Sequence, residues 1–190
     1  MVNRPYADAI GYGMPDHLNS YQGWFDAVDS TGLITNLGIA WQHGTTNKLF
    51  VRVHNPRRFR STHAYVFNGN NVTGSWDIGV YTLQGKRIAS AGTTVMSGTT
   101  QIQFAAMAAT IPAGDLLLVM ACNNAAAKFS HPSPSTAFWP QSFYDTMGWG
   151  LDHTTGGGLP LPAAITPVTG SGFGSTVQMP IFGVLRRWPA

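Results

Sequence analysis

Not one glutamate occurs among the 190 residues, and lysine appears only as Lys48, Lys86 and Lys128. Straight-chain charged residues lose little freedom in a helix and furnish the wet face of most soluble ones. A chain with no glutamate and only three lysines that carries 22 glycines and 12 prolines has little to build helices from and much to build turns from. The composition predicts an all-β protein. A hydrophobic fraction of 44% sets the chain apart from disordered ones, and its length suits one domain with a core rather than two.

The patterning agrees. Trp76, Ile78 and Val80 alternate with Asp77, Gly79 and Tyr81, which marks a strand with one buried face. From Lys48 to His54, Leu49, Val51 and Val53 alternate inward with partners expected to face outward. Further strands are expected at 33–41, 65–67, 87–91, around Ile102 and Phe104, at 116–122 and at 177–185. In the last of these, Pro180 favours an edge or a strand start. Glycine- and asparagine-rich turns separate them at 68–71, 84–85, 112–115 and 123–128. About eight strands at intervals of about ten residues, without helices between, predict an antiparallel β-sandwich of jelly-roll type.

Residues 1–32 read differently. Tyr6, Tyr12, Tyr21, Trp24 and Phe25 are scattered without a strand or helix period, so this region is expected to be an extended arm with aromatic anchors, lying on the body or on a neighbouring subunit. Asp16-His17-Leu18-Asn19 is the stretch of it able to begin a helical turn. The β-sandwich body then spans 33–190. Within it, 130–160 is a long irregular loop carrying Trp139, Tyr144, Asp145, Trp149 and Asp152 and ending in Gly156-Gly157-Gly158. Loops of this length in a compact domain are functional or build an interface.

Charged residues make up only 10% of the chain, with a net charge of +3. A surface so poor in charge points to partial cover by other subunits, the alternative being solubility through Ser, Thr, Asn and Gln. Arg52, Arg57, Arg58 and Arg60 fall within nine residues. Guanidinium forks suit carboxylates and phosphates, and a loop of this kind grips an acidic neighbour. A nucleic-acid site would need a denser basic face with aromatic platforms. The arm aromatics and these four arginines are therefore the expected protein interface.

No catalytic, cofactor-binding or metal-ligating residue is assigned. None of the six histidines stands two, three or four residues from another, the spacings that build metal sites. His54 and His63 flank the arginine loop and could meet across a hairpin. There is no Gly-x-Ser-x-Gly elbow, and Gly170-Ser171-Gly172-Phe173-Gly174-Ser175 lacks the third glycine of a dinucleotide loop. A glycosidase needs two opposed carboxylates. Asp145 and Asp152, beside Trp139, Tyr144 and Trp149, are the pair a cell-wall hydrolase would use. The same rings could hold a glycan by stacking, or pack a subunit interface, where Trp and Tyr are enriched. Cys122, the single cysteine, excludes an intrachain disulfide and reads as a small buried hydrophobe. No signal-peptide core opens the chain, and no apolar run approaches the roughly 18 residues of a membrane span. A cytoplasmic site of synthesis and no membrane partner are expected.

The central segment resembles a group of tailed-bacteriophage virion structural proteins. The resemblance lies in Asn68-Gly69, Gly74-Ser75-Trp76-Asp77-Ile78-Gly79-Val80-Tyr81, Gly85-Lys86-Arg87 and Ser90-Ala91-Gly92. It continues in Ile111-Pro112-Ala113-Gly114 with the apolar run to Ala121, in Leu159-Pro160-Leu161-Pro162-Ala163, and in Pro180-Ile181-Phe182-Gly183-Val184. It covers about 120 residues, outside the N-terminal arm. It implies a non-enzymatic component of a phage particle: a capsid decoration (cement) protein, or a fibre or tail appendage that recognises a host glycan. It further implies capsid or other virion proteins as partners, location in the virion, and a homo-oligomer, trimers being common among such sandwiches.

Overall fold

The computed structural model describes residues 17–19, 36–41, 45–131, 149–152, 158–169 and 180–185. Among them there is no helix, as the composition predicts. The strands are β1 (His17–Asn19), β2 (Asn36–Ala40), β3 (Lys48–Asn55), β4 (Phe59–Phe67), β5 (Ser75–Thr82), β6 (Arg87–Ser90) and β7 (Thr94–Val95). They continue as β8 (Ile102–Ile111), β9 (Gly114–Cys122), β10 (Lys128–His131), β11 (Trp149–Asp152), β12 (Val168–Thr169) and β13 (Phe182–Leu185).

Two antiparallel sheets face each other. One has the order β1-β13-β4-β8, the other β12-β11-β3-β9-β5-β6, with β7 against β5 and a separate β2-β10 ribbon. Eight strands carry the architecture. If β1, β3, β4, β5, β6, β8, β9 and β13 are numbered one to eight along the chain, the sheets read 1-8-3-6 and 2-7-4-5. That interleaving is the jelly roll. The chain passes from one sheet to the other at every step except the β5–β6 hairpin. β11 and β12, which fall between the seventh and eighth strands, widen the second sheet beyond β3.

Alternation explains the core. Leu49, Val51 and Val53 of β3, Trp76, Ile78 and Val80 of β5, and Leu116, Leu118 and Met120 of β9 point between the sheets. They meet Phe59, Ala64 and Val66 of β4, Met107 and Ile111 of β8, and Phe182 and Val184 of β13. The pairing register lines these rows up: Val51 and Val80 both stand opposite Leu118. Trp41 closes one end edge-on to Phe129, with centroids 5.8 Å apart. Cys122 is buried in this core as expected, and burial pushes its thiol up to about 11.

Several expectations are corrected. Strand β5 and the first half of β3 are buried on both faces, not one: Lys48, Phe50, Asp77 and Tyr81 on their outer side are as enclosed as the core, whereas Arg52 and His54 further along β3 face outward as expected. The enclosed partners of alternation thus lie beneath a further layer. His17–Asn19 is not the start of a helical turn but an edge strand, pairing with β13 from His17↔Leu185 to Asn19↔Gly183. His54 and His63 do not meet across a hairpin, because β3 and β4 belong to different sheets. β13 lies inside its sheet, between β1 and β4, with Pro180 before its start.

Candidate functional site

The layer that covers the outer face of the second sheet is the segment 158–167. Its Leu161 and Ile165 join Phe50, Tyr81, Leu117, Val119 and Ala121 in a second apolar cluster, with Leu159 packed against it. Apolar burial alone would not fix the course of an irregular segment. Side chains of β5 and β6 do so by binding its backbone.

Asp77 is fully buried. Its carboxylate accepts hydrogen bonds from the Leu161 amide at 2.9 Å and from the Ser90 hydroxyl at 2.8 and 2.9 Å. Ser90 in turn accepts from the Gly92 amide. Tyr81 donates its phenol to the Pro162 carbonyl at 2.7 Å. The Arg87 guanidinium donates to the Leu161 carbonyl, and its backbone amide to Ala163 at 2.9 Å. Gly79 leaves the room that Leu161 fills, since a Cβ there would stand 3.1 Å from Leu161 Cδ1. At Gly85 a Cβ would stand 2.0 Å from the Ile165 carbonyl oxygen, at a φ of +82°. Gly158, buried, also sits against backbone: a Cβ there would stand 2.5 Å from the Thr45 carbonyl oxygen.

Some of the motifs behind the resemblance therefore form one device. Asp77-x-Gly79-x-Tyr81, Gly85-x-Arg87 and Ser90-x-Gly92 are the clamp, and Leu159-Pro160-Leu161-Pro162-Ala163 is the strap it holds. The sequence contained the signal, an aspartate, a glycine and a tyrosine on one strand face, but read it as a solvated side. A second polar knot ties β5 to β7, β8 and the residue after β4. Gln103 Oε1 accepts from Trp76 Nε1 and Asn68 Nδ2, each at 3.0 Å, and its amide donates to the Val95 carbonyl. Both knots bind backbone and ordered side chains, the usual fate of buried polar groups.

The four arginines expected at an interface are exposed. Arg52 on β3 pairs with Asp115 on β9, whose second oxygen takes His54 Nδ1 at 2.8 Å. The His54 hydrogen bond, and then that of Arg52, hold the Asp115 carboxyl below the usual carboxylate range. Arg57 and Arg58 lie in the β3–β4 connection, and Arg60 on β4 stands opposite Thr110. His63 contacts Thr62 at 3.0 Å and the Phe104 ring edge-on.

The aromatic-loop residues fall partly outside the described residues: Trp139, Tyr144 and Asp145 do, as do the arm residues Tyr6, Tyr12, Tyr21, Trp24 and Phe25. Trp149 and Asp152 are on β11, in register with Val51 and Lys48 respectively. Val51 and Lys48 belong to opposite faces of β3, so positions 149 and 152 belong to opposite faces of the sheet. Among the described residues no group of three His, Cys, Asp or Glu side chains is arranged to hold a metal ion. Searches for relatives found no family model, no curated protein and no solved structure that matches the chain.

Proposed function

We propose that this chain is a non-enzymatic structural protein of a bacteriophage virion, a capsid decoration protein that binds the assembled shell. The observation that carries the reading is the use made of the buried and half-buried polar side chains. Asp77, Ser90, Tyr81, Asn68 and Gln103 are engaged in holding backbone, and the space between the sheets is filled with apolar side chains. Jelly rolls recur in viral capsid proteins, in lectins and in cupins. A packed interior and a rigid scaffold fit the first of these uses. The mechanism is mass action: a subunit that binds only the assembled shell stabilises it against rupture.

The N-terminal arm and the arginines at 52, 57, 58 and 60 are the contacts this reading assigns. Purified shells lacking the protein, mixed with it and heated, test it: bound protein and a higher rupture temperature are expected. Absence of co-sedimentation with shells would reject it. Because β1 begins at His17, a deletion ending at Asp16 tests the arm while keeping every described strand. The competing reading is a fibre or tail domain that holds a host glycan through Trp139, Tyr144, Trp149 and nearby aspartates. Placement of β11 in the widened part of the second sheet, beside the edge strand β12, favours it. Glycan binding that disappears in Trp149→Ala would decide for it.

A further inference from the structure

Three connections share one end of the sandwich. Register puts Asn55 opposite Gly114, Phe59 opposite Ile111, and Thr82 opposite Leu116, so the β3–β4, β5–β6 and β8–β9 turns lie side by side. This end gathers Arg52, Arg57, Arg58, Arg60, Lys86 and Arg87, all exposed. Among the described residues only Lys48, buried, and Lys128 lie elsewhere, and the acid at this end is Asp115. Between these cations stands Leu83. It and Val95 are the exposed large hydrophobics among the described residues, Leu83 being 38% exposed.

The turn that presents Leu83 is rigid. The Thr82 amide donates to the Lys86 carbonyl at 2.8 Å, the Gly85 amide to Thr82 at 2.9 Å, and the Ile165 amide to Gly85 at 2.9 Å. The strap thus braces the tip from behind. Strand spacing sets Leu83 about 10 Å from the β3–β4 connection, within the footprint of one partner surface. Arginine around an apolar tip is the composition of a protein interface; a single-stranded nucleic-acid track would add stacking rings to its cations, and the exposed large hydrophobics among the described residues are Leu83 and Val95, not aromatic rings.

We infer that this end docks an acidic protein surface offering an apolar recess for Leu83. The inference deepens the shell-binding reading by naming the contact face, yet it holds for an acidic protein partner of any origin. An end about 20 Å by 10 Å is smaller than the roughly 800 Å² a side of a standard interface. One contact is therefore weak, and charge steers it, so affinity falls steeply with salt.

The test uses the intact protein in fluorescence anisotropy with two labelled probes of equal net charge. One is a peptide of aspartates interspersed with leucine and glycine; the other is a single-stranded oligonucleotide. The peptide is expected to bind more tightly. Arg58→Ser and Leu83→Ser are each expected to weaken it about three- to tenfold, while Lys128→Ser, which removes a charge at the other end, leaves it unchanged. Equal or tighter oligonucleotide binding, indifference to Leu83→Ser, or no saturable peptide binding overturns the inference. Shell binding measured on the same variants separates the two readings. Peptide binding without shell binding sinks the decoration role alone. Shell binding that survives an Arg57→Ser, Arg58→Ser, Leu83→Ser triple variant sinks this docking face alone.

Discussion

The carboxylate of Asp77 and the backbone amide of Leu161 meet at 2.9 Å, 84 residues apart in the chain, with both residues buried. The contact joins the middle of the second sheet to the strap that covers it. A buried carboxylate is costly unless its oxygens are satisfied. Here a hydroxyl and an amide satisfy them, and in return a proline-containing segment that pairs with the sheet at one isolated bridge, Ala164 opposite Lys86, acquires a fixed path.

Asp77→Ala removes the acceptor and leaves the Leu161 amide and Ser90 hydroxyl unpaired inside the protein. A loss of about 2–3 kcal/mol in urea unfolding is expected. Asp77→Asn keeps the shape and one acceptor oxygen and should lose less. Equal stability of Asp77→Ala and the parent protein would refute the clamp.

Gly85 and Gly92 both have left-handed backbones, at φ of 82° and 79°, but only Gly85 is crowded. Gly92→Ala meets nothing within 4 Å and should cost about 1–2 kcal/mol from backbone strain alone. Gly85→Ala drives a methyl into the Ile165 carbonyl and should cost about 3 kcal/mol or more. Thermal melts of the two variants would show the difference, and similar melting temperatures would argue against a strap seated on Gly85.

Tyr65 and Tyr81 are both fully buried, but they differ in their hydroxyls. That of Tyr81 donates to Pro162, whereas that of Tyr65 has no hydrogen-bond partner among the described residues. Tyr81→Phe should therefore destabilise by about 1 kcal/mol, and Tyr65→Phe should be neutral or stabilising. Burial raises the Tyr65 phenol above its ordinary value. Its contribution to stability is thus fully present below about pH 10 and is lost as pH rises beyond it. The Phe variant should flatten that alkaline decline.

Asp115 has its carboxyl lowered by His54 and Arg52. The stability it contributes is present above the ordinary aspartate value of about 3.9 and is lost as pH falls through the lower folded value. Carboxyl NMR titration should show the Asp115 midpoint below that of a free aspartate, and His54→Ala should move it upward. An unshifted midpoint in the parent protein would contradict the trio.

Much of the scaffold was legible in the residues. The missing glutamates argued against helices, none of which lies among the described residues, and alternation located β3 and β5. The glycine and proline turns placed most of the rest, because strand period and turn chemistry are local properties. The cover on the outer sheet face was not legible: Phe50 and Tyr81 look the same in sequence whether water or a strap lies over them. Nor was the edge strand β1, three residues without alternation of their own, whose conformation comes from pairing with β13.

The candidate surfaces divide along the same line. The four neighbouring arginines can be counted in the chain, but their joining with Lys86, Arg87 and Leu83 at one end depends on antiparallel register between strands far apart in sequence. That register also puts positions 149 and 152 on opposite faces. Residue chemistry and short-range order settle which elements form, since each needs only its neighbours. Which faces are covered and which side chains become neighbours depends on long-range pairing, which no local pattern encodes.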